Sequence, residues 1–304
     1  MVSTMETMEH DDREFEYGPR DFKRVRTMIY ARAGISLSDS KVDMVYSRLA
    51  RRLREVGQVR FSDYLDELEA HPDAPEWEKF TNALTTNLTA FYREAHHFDI
   101  LSKYLIRRRT QPGGERIMIW CSAASTGEEP YTIAMTAIET FGTMTPPVSI
   151  LATDIDTNVL STAEEGVYSM DRVEKLSRER VKKFFLRGSG SNSGYVRTVD
   201  ALRRLIVFRP LNLLDPAWPI RGPLDAIFCR NVMIYFDRPT QHEILRKMKP
   251  LLRPDGLLFA GHSESFHHAA DLFKPCGRSV YAPVSAHAAH AAPAMHRPLL
   301  AAAR

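Results

Sequence analysis

Two adjacent acids, Glu128 and Glu129, follow the small residues Ser122, Ala123, Ala124, Ser125 and Gly127 in the stretch Arg116–Tyr131, RIMIWCSAASTGEEPY. Small side chains let a ligand approach the backbone closely, and the apolar run Ile117–Trp120 before them suits a strand covered on both faces. The acids open a helical pattern, where the helix dipole favours negative charge, so capping is one account of them. Recognition of a cationic ligand is the other. Two carboxylates followed by Pro130 suit a phosphate poorly, because they repel it where a dinucleotide site offers free N–H groups. A dinucleotide oxidoreductase is therefore the least favoured class. Asp154 lies at the end of the next apolar run, VSILATDID, 25 residues after Glu129, near the ~20-residue offset at which an acid commonly receives ribose hydroxyls. Asp156 is an alternative ligand there, and both acids can instead cap the helix that begins near Asn158. Arg230, Asn231 and Tyr235 follow a third apolar run in LDAIFCRNVMIYF, at the sheet edge where open parallel sheets place their ligands. Arg93, in TTNLTAFYREAHHF, opens a predicted helix, a poor position for a cation that calls for an anionic partner.

The elements that must hold these residues change character along the chain. From about Arg20 to Lys79 the apolar spacing is helical throughout, with stripes such as Val42, Val45, Leu49, Leu53 and Val56. The faces of that helix carry Lys41, Arg48, Arg51, Arg52 and Arg54, and between Ser38 and Arg60 six basic residues stand against three acidic ones. A solvated face and docking to an acidic surface both fit this pattern; no aromatic residue interleaves the arginines, which favours a protein partner over single-stranded nucleic acid. After Arg116, strands alternate with helices, as in a parallel sheet with right-handed crossovers. A charged helix is expected over Asp171–Leu186, then a small antiparallel insertion around Gly188, Gly190 and Gly194, which either accepts a partner strand or is a passive hairpin. A strand is expected over Gly256–Ser265 and a last one over Ser279–Val284. His262 and Ser263 have no nucleophile elbow and no clear acid partner, which argues against a hydrolytic triad. His96 and His97 are adjacent and diverge on a helix, so no metal site is expected from them.

Composition narrows the class. The 304-residue chain is 44% hydrophobic and 26% charged, with a net charge of +3, too small to identify a partner. No apolar run approaches the ~20 residues that span a bilayer. The N-terminus is acidic where a signal peptide would be basic and then apolar, so a cytoplasmic location is expected. Cys121, Cys229 and Cys276 are far apart and odd in number, against both a disulfide framework and a zinc site. Residues 1–17 and the Ala/His-rich tail 285–304 are expected to be disordered.

Taken together, LTTNLTAFYREAHHF, WCSAASTGEEPYTIA, ATDID, FRPLNLL, IFCRNVMIYFDRPTQ and LLRPDGLLFAGHSESF, in this order, closely resemble the chemotaxis receptor methyltransferases, the CheR family. The resemblance covers about residues 20 to 284. It implies an α/β fold: a Rossmann-like S-adenosylmethionine-dependent methyltransferase domain (89–284) with a small antiparallel β-subdomain at about 187–208, preceded by an all-helical domain (18–88). It implies S-adenosyl-L-methionine as methyl donor, S-adenosyl-L-homocysteine as product, and glutamate side chains of the cytoplasmic domain of transmembrane chemoreceptors as acceptors, with no nucleic acid, membrane insertion or metal. Position by position, Asn87, Thr89 and Arg93 resemble the segment that closes over the donor, with Arg93 facing its carboxylate and the transfer region. Glu129 would receive the methionyl ammonium and Asp154 the ribose, while Asn212, Leu213, Arg230 and Asn231 would border the adenosine and sulfonium end. Tyr235 would lie near the transferred methyl and orient the acceptor with Arg93. The basic helix would meet the receptor's acidic methylation region. Arg187, Gly188, Gly190, Gly194 and Arg197 match the pattern of members that hold a receptor C-terminal peptide as an added strand. The competing readings are a methyltransferase acting on nucleic acid or a small molecule, and a non-catalytic donor-binding module.

Overall fold

The computed structural model describes residues 13–111 and 116–284. Helices α1 (Pro19–Ala33), α2 (Val42–Val56), α3 (Phe61–Ala70) and α4 (Glu76–Leu84) form a first unit. Their apolar stripes, among them Val25 and Ile29, Val45, Leu49 and Leu53, Leu65, and Phe80, enclose a core of their own. The expectation of disorder over 1–17 needs correction in its described part. Phe15 and Tyr17 are buried in this core and both pack on Phe61. Two isolated aromatics within an acidic stretch have no periodicity, so nothing in the pattern flagged them. Residues 1–12 and the tail from 285 lie outside the described residues.

An irregular segment, 85–95, leads to α5 (His96–Arg109), and the alternating part follows: β1 (Ile117–Cys121), α6 (Glu128–Phe141), β2 (Val148–Asp154) and α7 (Thr157–Glu165). Next come β3 (Val167–Ser169), α8 (Met170–Val173), α9 (Arg178–Phe184), β4 (Phe185–Arg187), β5 (Tyr195–Thr198), α10 (Asp200–Arg203) and β6 (Ile206–Pro210). The chain closes with β7 (Leu224–Phe228), α11 (Arg238–Met248), β8 (Leu252–Phe259), β9 (Phe273–Gly277) and β10 (Val280–Pro283).

The large sheet has the order β6-β2-β1-β7-β8-β10-β9. β10 pairs antiparallel with both its neighbours, and β6, β2, β1, β7 and β8 are mutually parallel. Along β1, Ile117, Ile119 and Cys121 join one core layer while Trp120 joins the layer on the opposite face, which is why that run had to be apolar throughout. Strand order reverses at β1, whose neighbours are β2 and β7, so a crevice opens beyond their carboxyl ends.

Three expectations change. The small antiparallel sheet is β3-β5-β4, so it begins at Val167, earlier than the expected 187, and the strand expected near Leu205–Phe208 belongs instead to the large sheet, paired with β2. Three-residue strands such as Val167–Ser169 are too short to show alternation. The single charged helix expected over Asp171–Leu186 is two short helices, starting after Ser169 and after Ser177, whose hydroxyl accepts the Arg180 N–H. Strand β8 ends at Phe259, leaving His262 and Ser263 in the loop beyond it.

Candidate active site

One cavity of about 910 Å³, its open mouth included, occupies the crevice. Four parts of the chain wall it: the ends of β1, β2 and β7, the segment 85–95, the loop after β6, and the C-terminal end of α1. Asn87, Thr89 and Arg93 contribute from the segment, Glu129 from the first turn of α6 beyond β1, and Asp154 from the end of β2. Asn212 and Leu213 come from the loop after β6, and Arg230, Asn231 and Tyr235 from the chain following β7. Every residue that sequence placed near the donor or the transferred methyl therefore lines the same cavity.

The small-residue turn is tight for a physical reason. Gly127 has φ +98°, and a Cβ there would lie 2.7 Å from the Tyr168 hydroxyl. Asp154 anchors the turn: its Oδ2 accepts the Ser125 N–H at 2.8 Å and its Oδ1 the Asp156 N–H at 3.0 Å. Burial raises the Asp154 carboxyl to about 6, against the pull of those N–H donors. Asp156 has a different job. It caps α7, and its Oδ2 accepts the Thr85 hydroxyl at 2.6 Å and the Asn87 amide at 2.8 Å, fastening the segment to the sheet.

Glu129 and Arg230 form a buried ion pair, Nη1 to Oε2 at 2.6 Å, while the Cys121 thiol donates to Glu129 Oε1 at 3.1 Å. Burial pushes the Glu129 carboxyl above its ordinary range, with the guanidinium pulling it back. Arg230 Nε, although buried, has no hydrogen-bond partner among the described residues. An unpartnered buried donor in a cavity wall is what an incoming acceptor group completes.

Arg93 does not open a helix, since α5 starts at His96. It sits in a turn between two left-handed residues, Tyr92 (φ +53°) and Glu94 (φ +57°), with Nη1 donating to the Leu88 carbonyl at 2.8 Å. Its own carbonyl accepts from Arg230 Nη2. Tyr235 ends a short 3₁₀ turn after β7, its hydroxyl 3.5 Å from the Thr86 carbonyl and its carbonyl accepting the Ser36 N–H at 2.9 Å. Asn212 uses both ends of its amide on protein, donating to the Arg32 carbonyl and accepting from Leu214 N–H, so its side chain ties α1 to the cavity floor.

Sequence reading missed two acids here. Glu264, buried in the loop after β8, accepts backbone N–H bonds from Asn231 (2.9 Å), Met233 (2.8 Å) and Gly261 (2.5 Å). It thereby holds Asn231 in its left-handed conformation (φ +58°) and fixes the start of the Tyr235 turn. Gly261 lets Asn231 sit close, since a Cβ there would lie 2.3 Å from Asn231 Nδ2 and displace that amide. Glu94 joins the Arg93 turn to His262 and Arg230. Neither acid carried a signal in the sequence, because the groups each one holds lie far away in the chain.

Other expected residues fall outside the cavity. Glu128 is fully buried, accepts the Thr126 hydroxyl and pairs with Arg172 of α8, so its role exceeds that of a helix-start acid. On the basic helix, Arg48 donates to the Ala83 and Thr85 carbonyls, and Arg52 clamps Glu76 with bonds of 2.7 to 3.0 Å. Those two arginines are engaged inside the helical unit, which corrects their placement on a receptor-facing surface. Lys41, Arg51 and Arg54 are exposed, the two arginines beside Glu55 and Glu14. Arg187, Gly188 and Arg197 border a depression on the small sheet, flanked by the exposed apolar side chains of Leu186 and Tyr195. Gly190 and Gly194, both at positive φ, shape the β4–β5 connection. Glu94, His96 and His97 place ligand atoms within 4.8 Å of one another, but Arg230 lies 3.5 Å from the same carboxylate and its charge opposes a metal cation there. Among the described residues no helix is long and apolar enough to cross a membrane.

Comparison with known proteins identifies the family. Residues 20–85 match the family described as "CheR methyltransferase, all-alpha domain" and residues 87–282 the one described as "CheR methyltransferase, SAM binding domain". The chain is 53% identical over 272 residues to "Chemotaxis protein methyltransferase 2" of Pseudomonas aeruginosa, covering 90% of this chain and 96% of that protein. It is 51% identical over 261 residues to "Chemotaxis protein methyltransferase" of Escherichia coli, covering 86% and 90%. A protein of the same description from Borreliella burgdorferi is 35% identical over 251 residues, covering 81% and 88%. With both halves of the described fold matched, the chain belongs to the CheR family of S-adenosylmethionine-dependent chemotaxis methyltransferases.

Proposed function

We propose that this protein methylates glutamate side-chain carboxylates in the cytoplasmic domains of chemoreceptors, forming glutamyl methyl esters, and that the residues named above hold both substrates. The observation that carries the reading is the set of charges lining one cavity: two buried carboxylates, Glu129 and Asp154, the cations Arg230 and Arg93, and Tyr235. Glu129 suits an ammonium, Arg93 a carboxylate and Asp154 ribose hydroxyls, and Ile155, Leu211 and Phe236 supply apolar wall for a base. That set fits a nucleoside joined to an amino acid. Glu129 enters this role with Arg230 already beside it, so the same carboxylate accepts hydrogen bonds from two cations, each through a separate lone pair.

S-adenosylmethionine, when bound, supplies a methyl group on a sulfonium and leaves as the neutral thioether once a carboxylate oxygen takes the methyl. The protein then has no proton to move. An ordinary glutamate, with a pKa of about 4.3, is already ionised at pH 7 and needs no general base. Arg93 and Tyr235 orient the acceptor, and the segment 85–95, fastened by Asp156, keeps water away from opposite charges that disappear together. Positioning of this kind can supply about 7–11 kcal/mol of a barrier.

Two surfaces suit the receptor. Lys41, Arg51 and Arg54 present positive charge on the helical unit, and Arg187 and Arg197 flank an edge strand that can take an added peptide strand. The test offers labelled donor to chemoreceptor cytoplasmic fragments, to RNA and to small carboxylic acids in parallel, and maps the label by peptide mass analysis. Label on receptor glutamates is the expected outcome; label on RNA alone would transfer the assignment to the nucleic-acid reading.

A further inference from the structure

We propose that Glu94 is a positioning residue for methyl transfer: its carboxylate latches the turn that presents Arg93 to the loop after β8 and to Arg230. The inference rests on the proposed roles of Arg93 and the cavity. Its basis is local geometry. Arg93 lies between two non-glycine residues in left-handed conformations, Tyr92 and Glu94, an arrangement that L-residues adopt only when their surroundings impose it. Three contacts impose it here. The Tyr92 N–H donates to Thr132 Oγ1 of α6 at 3.2 Å, the Arg93 carbonyl accepts from Arg230, and Glu94 Oε1 accepts from both the backbone N–H (3.2 Å) and Nδ1 (3.1 Å) of His262. The last of these is the one made by a side chain of the turn itself, and it bridges residues 168 apart in sequence.

The other carboxylate oxygen faces inward. Glu94 Oε2 lies 3.5 Å from Arg230 Nη2 and 3.5 Å from His97 Nδ1. His97 is completely buried and its Nε2 contacts the Arg278 carbonyl at 2.9 Å, which assigns the proton to Nε2 and leaves Nδ1 as a lone pair. Burial, with the charge of Arg230, lowers His97 to about 4, so it is neutral at pH 7. Burial also works against the Glu94 carboxylate, but the His262 hydrogen bond and the charge of Arg230 outweigh it and hold the group at about 2. Glu94 is therefore a fixed anion that follows one cavity-lining arginine, Arg93, in the chain and lies 3.5 Å from another, Arg230, which is shared with Glu129. Oε2 of Glu94 and Nδ1 of His97 make no hydrogen bond among the described residues. The approach of these two acceptors is unfavourable in itself, and it is offset on the Glu94 side by the charge of Arg230.

The test is a double-mutant cycle on the full chain, with donor affinity read by calorimetry and methyl transfer to a chemoreceptor cytoplasmic fragment read by label. Glu94→Gln keeps the shape and removes the charge. It is expected to lower kcat roughly 10- to 100-fold, the size of loss that follows a displacement of about 1 Å at a reacting centre, to weaken donor binding no more than Arg93→Ala does, and to lower the thermal midpoint, since a carboxyl held at about 2 stabilises the fold in its ionised form. In an Arg93→Ala background the same change should cost less than about twofold, because Glu94 acts through Arg93. His262→Ala, at a side chain 70% exposed, removes one of the two contacts to Oε1 and is expected to give an intermediate loss. Equal losses with and without Arg93, or a loss confined to thermal stability, would overturn the inference. A wild-type protein that binds donor but labels no receptor would instead overturn the reading on which it rests.

Discussion

Glu129, Arg230, Asp154 and Tyr235 make separable claims at the residue scale. Asp154 is a buried acid raised to about 6. A raised acid pKa means that protonation favours the fold: this contribution is complete below the ordinary value near 4 and is lost as pH rises through about 6. Donor binding runs the opposite way, because ribose hydroxyls need the carboxylate as acceptor. Donor affinity measured by calorimetry is accordingly expected to fall as pH drops from 7.5 to 5, with Glu129, also raised, acting in the same direction. A pH-independent Kd over that range would remove Asp154 from the binding role. Tyr235→Phe deletes one hydroxyl and no charge. Because the hydroxyl only orients, kcat should drop by roughly tenfold, about the effect of one hydrogen bond to a charged group, with donor Kd unchanged; complete loss of turnover would make proton transfer or a larger role necessary. The acid pair was legible in the sequence only as a choice between capping and binding. The structure separates them, since Glu128 is tied to Arg172 and Glu129 faces the cavity with Arg230.

At the scale of elements, the segment 85–95 and the loop after β7 decide whether those residues meet. Asp156 carries two functions at once, capping α7 and holding Thr85 and Asn87. Loss of an N-cap costs about 1 kcal/mol, and each lost hydrogen bond to a charged group about 1.5–3 kcal/mol. Asp156→Ala should therefore lower the thermal midpoint by several degrees and also weaken donor binding through Asn87, although Asp156 itself is expected to make no donor contact. A lower midpoint with unchanged donor Kd would show that the segment is not part of the binding site. Elements with strong periodicity were largely legible: Val45, Leu49 and Leu53 of the α2 stripe are buried, while Val42 is half-buried and Val56 exposed, and the β1 run is buried apart from half-buried Met118. The three-residue strands and the break between α8 and α9 were not, because short elements are set by tertiary pairing and their own sequences carry too few residues to show a period. Glu264 and Glu94 were missed for a related reason: they satisfy or hold backbone from distant parts of the chain, and such partners are invisible in a linear pattern.

For the whole molecule, the helical unit and the sheet unit share one cavity, closed between them by Asn212 on the Arg32 carbonyl, Ser36 on Tyr235 and Tyr30 on Asp237. The charge on α2 divides accordingly. Arg52, clamped to Glu76, is a stabilising residue, and Arg52→Ala should lower thermal stability. Arg51→Glu, at an exposed position, should leave stability within about 0.5 kcal/mol while raising the KM for receptor fragment. A receptor KM unchanged by Arg51→Glu would turn attention to the small sheet as the main docking surface. The central claim, transfer of a methyl group from S-adenosylmethionine to a glutamate carboxylate, is tested most directly by the chemistry of the product. Methyl-labelled donor, this protein and chemoreceptor cytoplasmic fragment are incubated together, and the isolated receptor is treated with mild alkali. A glutamyl methyl ester releases its label as volatile methanol, and that release should fall sharply when Arg93→Ala replaces the wild type. Receptor label that survives alkali, or no receptor label with donor binding intact, would contradict the assignment.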